Sequence, residues 1–282
     1  PGARPELDAR AAPTAPAVAV INVADLRKSR LPSSILSLML PSIGRQSCPA
    51  FPSSGTCPLS GARAARADRP QRFHTAVAHA ERVYSVAQGA APAPDIEELS
   101  SSWQRSTNSV DPLDSSAPRI LTTGEIKDSR EPLGTLISTA QEELDRLYKV
   151  VREAGYTILF CDTAGVAIEH RGDAVEASQF EYWGTWLGGV WAEEIEGTNG
   201  IGTCITEERP VTVHRSQHFR SRHMNLSCSG APIFGTDGRL LAVLDVSAID
   251  PGRSERAHAL TGALTVTSAR AIEERFFREH FR

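Results

Sequence analysis

The run from Cys228 to Val246 reads C-S-G-A-P-I-F-G-T-D-G-R-L-L-A-V-L-D-V. Two apolar stretches, Cys228 to Phe234 and Leu240 to Val246, flank Gly235-Thr236-Asp237-Gly238. Asp-Gly between apolar runs is a strong hairpin signal, because both residues tolerate the positive φ of a tight turn. The run therefore predicts two antiparallel strands. A second unit of the same kind lies upstream. Tyr156 to Cys161 is aromatic and β-branched, Asp162-Thr163-Ala164-Gly165 is a turn, and Val166 to Glu169 is extended again. Val211 to His214, following Pro210, adds a short strand.

Helical periodicity brackets these strands. Leu133, Leu136, Ile137, Ala140, Leu144, Leu147 and Val151 recur at i, i+3, i+4 and i+7. That predicts a helix of about twenty residues, roughly 30 Å long. Pro132 supplies its start and Gly155 its stop. Ser254 caps a last helix that runs through Leu260, Leu264, Ala271 and Ile272 to Phe276. Further upstream, Ile96, Leu99 and Trp103 form one apolar stripe that ends at Asp111-Pro112. Hairpins framed by long helices predict an α+β fold, an antiparallel sheet with N- and C-terminal helices covering one face. A doubly wound sheet is not expected.

Composition divides the chain. Its 282 residues carry 30 basic and 34 acidic side chains, net −4. Residues 1–70 hold nine basic and four acidic side chains, net +5, which leaves −9 for the rest. They also hold ten of the 18 prolines, too many for regular elements to form. Residues 1–70 therefore read as a disordered extension, or as translation upstream of the true start. Residues 71–132 read as a helical N-terminal segment and 133–282 as the sensor-like domain. No run of about 18 apolar residues occurs, so no transmembrane helix and no membrane partner is expected. The net charge is not that of a polycation built for nucleic acid. The five cysteines are odd in number and lack a C-x-x-C pair, which fits a reducing cytoplasm.

The most informative stretch is Trp191 to Cys204, W-A-E-E-I-E-G-T-N-G-I-G-T-C. Gly197, Gly200 and Gly202 imply a tight turn or a close approach. Thr198 or Asn199 can cap a short helix through Ile205, whose free amides would suit an anionic or polar ligand group. Packing alone explains the same glycines. No Gly-Lys pair exists, so there is no P-loop.

This run resembles a known family. W-A-E-E-x-E-G-T-N-G-I-G-T, then R-P-V-T-V-H (209–214), Q-H-F (217–219) and L-S-C-S-G-A-P-I-F-G-T-D-G-R-L-L-A-V-L-D-V-S (226–247) are similar to the GAF input domain of acetoin catabolism regulators. S-S-W-Q-R-S-T-N-S-V-D-P (101–112) resembles the same family's N-terminal signature. These are sigma-54-dependent, Fis-family bacterial transcriptional activators. The resemblance implies a small-molecule effector as partner, a homodimer formed through helices, and a pocket between sheet and covering helices. In the family, DNA and sigma-54 contact belong to modules that match no residues of this chain.

The candidate ligand contacts are Trp191, Asn199, Thr203 and Cys228, with Gly197, Gly200 and Gly202 shaping the backbone. Trp183, Trp186 and Trp191 fall close together, and Trp191 is the one expected at a pocket. His214, His218, His223 and Cys228 have ligand-type side chains, yet His218 and His223 fall on a predicted loop, and no metal site is expected. No acid–base or nucleophilic set assembles, so no catalytic residue is assigned and the chain is not read as an enzyme. No cofactor is named. Two alternatives remain. One is a redox sensor or redox enzyme built on Cys204 and Cys228. The other is a dimerisation domain that binds no ligand.

Overall fold

The computed structural model describes residues 74–173, 177–249 and 255–281. The expectation for residues 1–70, with Cys48 and Cys57, lies outside the described residues. Helix α1 covers residues 74–87. A 3-10 turn, Pro94–Leu99, leads into α2, Ser100–Ser106. Helices α3 (Thr123–Arg130) and α4 (Gly134–Val151) follow. Strands β1 (Tyr156–Cys161) and β2 (Ala167–Arg171) precede α5 (Ala177–Trp183), α6 (Glu193–Glu196) and α7 (Gly200–Glu207). Strands β3 (Val211–His214), β4 (Leu226–Phe234) and β5 (Leu240–Ile249) lead to α8, Glu255–His280.

The five strands form one antiparallel sheet in the order β2-β1-β5-β4-β3. Both predicted hairpins are present. β5 is central because it pairs on one side with β1 and on the other with β4. Side chains alternate between the two faces, as strand geometry requires. Ile158, Phe160, Leu244 and Val246 point to one face, where the predicted stripe of α4 meets α8 through Ala269 and Ile272. α4 ends as read from the sequence, with Gly155 in the left-handed region at φ 68°.

The second face is also covered, which the helix periodicity did not disclose. Leu159, Cys161, Val243 and Cys228 meet Ile201 and Cys204 of α7 there, together with Val83, Leu99 and Trp103 of the N-terminal segment. β1 and β4 are accordingly buried almost throughout. Helix α3 lies within residues 71–132, the segment read as helical, although no individual element was placed at 123–130. Its start is a capping box in which Glu125 N–H donates to the Thr122 hydroxyl and Thr122 N–H donates back to Glu125 Oε2. No helix among the described residues is long and apolar enough to cross a membrane.

Candidate functional site

The glycine-rich motif folds into α6, a turn, and α7. Asn199 caps α7, its Oδ1 accepting from Ile201 N–H at 2.9 Å and Gly202 N–H at 2.8 Å. Its Nδ2 donates to Trp191 O and Gly197 O. The amides expected to be free for a ligand are thus satisfied internally. A Cβ on Gly202 would lie 2.4 Å from both Glu193 N and Trp191 O. One on Gly200 would lie 2.7 Å from Cys228 Cβ and 2.9 Å from Asp245 Oδ1. Close approach of α7 to the sheet explains both residues. Gly197 turns the chain at φ 69°, against the ring of Phe219.

Beneath α7 runs a buried polar seam. Asp245, on the central strand, faces Cys228 and the N-terminus of α7. Its Oδ2 accepts from Ser247 Oγ at 2.5 Å, while Oδ1 has no hydrogen-bond partner. Burial pushes this carboxyl up to about 7. His218 Nδ1 lies 3.0 Å from Arg215 O, and its Nε2 lies 3.3 Å from Cys228 Sγ. A carbonyl only accepts, so Nδ1 carries the proton and Nε2 accepts from the thiol. Burial lowers His218 to about 3 and pushes the Cys228 thiol well up, so the pair is neutral. His223 completes the seam. It is fully buried, its ring centroid 5.1 Å from that of Trp191 and 6.1 Å from that of His218. Its Nε2 stands 3.5 Å from Glu196 Oε2, and neither ring nitrogen makes a hydrogen bond. Burial holds it neutral as well.

A family model for the GAF domain matches residues 136–272. These residues are a GAF domain. The chain is 31% identical over 187 residues to the acetoin catabolism regulatory protein of Cupriavidus necator, covering 65% of this chain and 28% of that protein. It is 28% identical over 177 residues to the acetoin dehydrogenase operon transcriptional activator AcoR of Bacillus subtilis, covering 61% of this chain and 28% of that one. The chain therefore spans under a third of the length of the regulators it matches. Among solved structures, the E. coli DhaR(N)–DhaL complex contains a chain that superposes with a TM-score of 0.58 at 17% identity. That match covers 65% of this chain and 61% of that one, and it bears on the fold.

The GAF domain brings Trp191, Asn199, Thr203 and Cys228 together, but in different roles. Trp191 and Cys228 line the seam. Asn199, Gly197, Gly200 and Gly202 build the backbone around it. Thr203 is buried and faces the N-terminal segment, its Oγ1 3.0 Å from Ser102 Oγ. Cys204 is buried against Gly230, and burial raises its thiol well above the ordinary range, as it does for Cys161. Buried thiols held in the protonated form are poor nucleophiles. Among the described residues no group of three or more His, Cys, Asp or Glu is placed to hold a metal ion. Trp183 packs at the edge of the core cluster that holds Trp191 and Cys228, whereas Trp186 packs on His170 and Phe180.

The sequence reading missed Asp245, His218 and His223 as seam residues. His218 and His223 lie on the loop between β3 and β4 as expected, and His218 has the backbone partner Arg215 O, but both are 0% exposed. Asp245 did carry a signal, as the one charge inside an otherwise apolar strand. Beside the seam, Arg220 is nearly enclosed and donates to Glu196 at 2.5 Å and to Asp114.

Proposed function

We propose that the GAF domain senses a small, uncharged, polar metabolite of the acetoin type, bound in the seam formed by Trp191, His218, His223, Cys228 and Asp245. It serves as the input module of a bacterial transcriptional regulator in the cytoplasm, and it is not an enzyme. DNA and sigma-54 contact belong to modules outside these residues. The observation that carries this reading is the pair of unsatisfied polar groups at the seam, His223 and Asp245 Oδ1. A buried polar group without a partner costs on the order of 1–3 kcal/mol, and a hydroxyl or carbonyl from a ligand removes that cost. With neutral imidazoles and a carboxyl that titrates near neutrality, the seam offers donors and acceptors with little net charge. That favours an uncharged guest over an anion. The similarity to acetoin regulators makes acetoin the first probe.

His223→Leu separates a ligand group from a structural one. It removes two unsatisfied nitrogens and fills the space with apolar atoms. Calorimetric titration with acetoin is expected to give binding to the wild type and none to the variant, whose thermal midpoint stays equal or rises. Unchanged binding in the variant, or no binding to either protein, overturns the reading.

A homodimer through the helices is the second part of the proposal. Phe277 and Phe281 of the C-terminal helix region are 53% and 65% exposed, and grooves of about 390 and 420 Å³ flank Phe276. None of the groove residues belongs to the seam. Light scattering after gel filtration should give twice the chain mass for the wild type and a monomer for Phe277→Glu.

A further inference from the structure

We propose that residues 74–116 form a strap that lifts as a unit and gates the seam, with Ser102 and Arg105 as its latch. The purpose assigned to this gate rests on the sensor reading; the gate itself does not. The seam is closed, since Asn199, Thr203, His218, His223 and Asp245 are all 0% exposed. A ligand reaches it only if one of its walls moves. Those walls are α6–α7 and the loop 215–223, and the strap holds both.

The latch joins the two motifs that stood out in the sequence, 101–112 and 191–204. Ser102 Oγ donates to Glu193 Oε2 at 2.6 Å and lies 2.7 Å from Thr198 Oγ1 and 3.0 Å from Thr203 Oγ1. Arg105 grips Glu193 through Nε at 2.6 Å and Nη2 at 3.1 Å, and reaches Glu207 at 2.9 Å. On the other wall, Trp103 Nε1–H donates to Gln217 O at 2.8 Å, and His79 Nε2 lies 3.1 Å from Phe219 O. Burial lowers His79, and a carbonyl only accepts, so a neutral Nε2–H donates there. Asp114 is gripped by Arg220. All of these polar contacts land on the two walls, while Val83, Leu99 and Trp103 pack on the sheet beside them.

Three features make the strap separable from the core. No residue of 74–110 pairs with the sheet, so it can leave without breaking a strand ladder. Its charged latch is accessible to water, since the Arg105 side chain is 39% exposed. Residues 117–119, between the strap and α3, carry neither helix nor strand and supply a hinge. The strap also lies wholly before residue 136, where the GAF match begins. Ser102 and Arg105 are therefore positioning residues that act on the seam through Glu193, Thr198 and Thr203.

Hydrogen exchange on the full 282-residue chain tests the gate without any ligand. Peptides covering 98–107 should exchange at least about a hundredfold faster than those covering β4 and β5, which marks opening below global unfolding. Ser102→Ala with Arg105→Ala should speed exchange in 98–107 and 199–207 by about a further tenfold and leave β4 and β5 unchanged. Arg105→Lys, which keeps the charge and loses the fork, should fall between. Strap exchange at the same rate as the sheet, or a variant that accelerates every peptide equally, overturns the proposal. Repeating the measurement with acetoin separates the two ideas. Strap exchange made faster by acetoin, with β4 and β5 unchanged, supports both, since a guest that offsets the cost of lifting the strap raises its open population. Exchange unchanged by acetoin everywhere overturns acetoin sensing, while the ligand-free comparison still decides the gate.

Discussion

Asp245 offers a direct check on the electrostatics of the seam. Its carboxyl is fully buried on the central strand, with one oxygen on Ser247 and the other without a hydrogen bond, and it titrates at about 7 instead of 3.8. In the window between those values the folded protein holds a proton that the unfolded chain has released. Stability therefore falls as pH rises, by about 1.4 kcal/mol per pH unit. From pH 5 to pH 8 the loss is about 3 kcal/mol, nearly all of it below pH 7. Buried histidines act in the opposite sense. His218 at about 3 and His258 at about 4 stay neutral when folded, so stability falls as pH drops below 6.5. Each contributes a loss of roughly 2 kcal/mol by pH 5. The wild-type profile alone sums opposing contributions from several buried groups and decides nothing. Asp245→Asn keeps the shape and an acceptor for Ser247 but has no proton to lose. Urea unfolding of both proteins at pH 5 and pH 8, followed by circular dichroism, gives a difference in which the histidine contributions cancel. The variant should gain about 3 kcal/mol relative to wild type between the two pH values. A difference constant to within about 0.5 kcal/mol would show that Asp245 ionises normally and that the seam is wetter than its burial implies.

Other substitutions probe the framework. Gly230→Ala would place a Cβ 2.1 Å from Gly200 O, a backbone clash no rotamer relieves, and should leave little folded protein on expression. Gly134→Ala, with open space around it at the first turn of α4, should instead raise the thermal midpoint, by roughly 0.5–1 kcal/mol of stability. Arg220→Met strands the buried Glu196 and should cost about 3–5 kcal/mol in urea unfolding. Adding Glu196→Gln should recover much of that loss, and a double variant no better than the single would refute the pairing.

The fold was legible where local chemistry and packing agree. The Asp237-Gly238 turn, the two strand pairs and the apolar stripe of α4 all work through neighbours in sequence, and each is found where it was read. The second face of the sheet was not legible, because its cover combines the short helix α7 with apolar residues of a distant N-terminal segment, Val83, Ile96, Leu99 and Trp103, whose docking partners are far away in the chain. Trp103, Arg105 and Ser102 read as an ordinary amphipathic turn until their partners, 88 to 114 residues away, are placed beside them. The candidate site failed for a related reason. Glycine and asparagine in the motif looked ligand-facing because they leave amides free, yet Asn199 spends its whole side chain closing the start of α7. Polar residues that satisfy the backbone build a site, whereas those left unsatisfied in a closed interior are available to a guest. By that criterion His223 and Asp245 rank above Asn199 and Thr203, and the distinction appears only once every hydrogen bond has been assigned. The same criterion links the strap to the seam. Satisfied groups of the strap hold shut the walls around unsatisfied groups of the seam, so the free energy a ligand gains inside is available to offset the cost of lifting the strap. A module built this way couples occupancy to the position of its N-terminal segment without any rearrangement of the sheet.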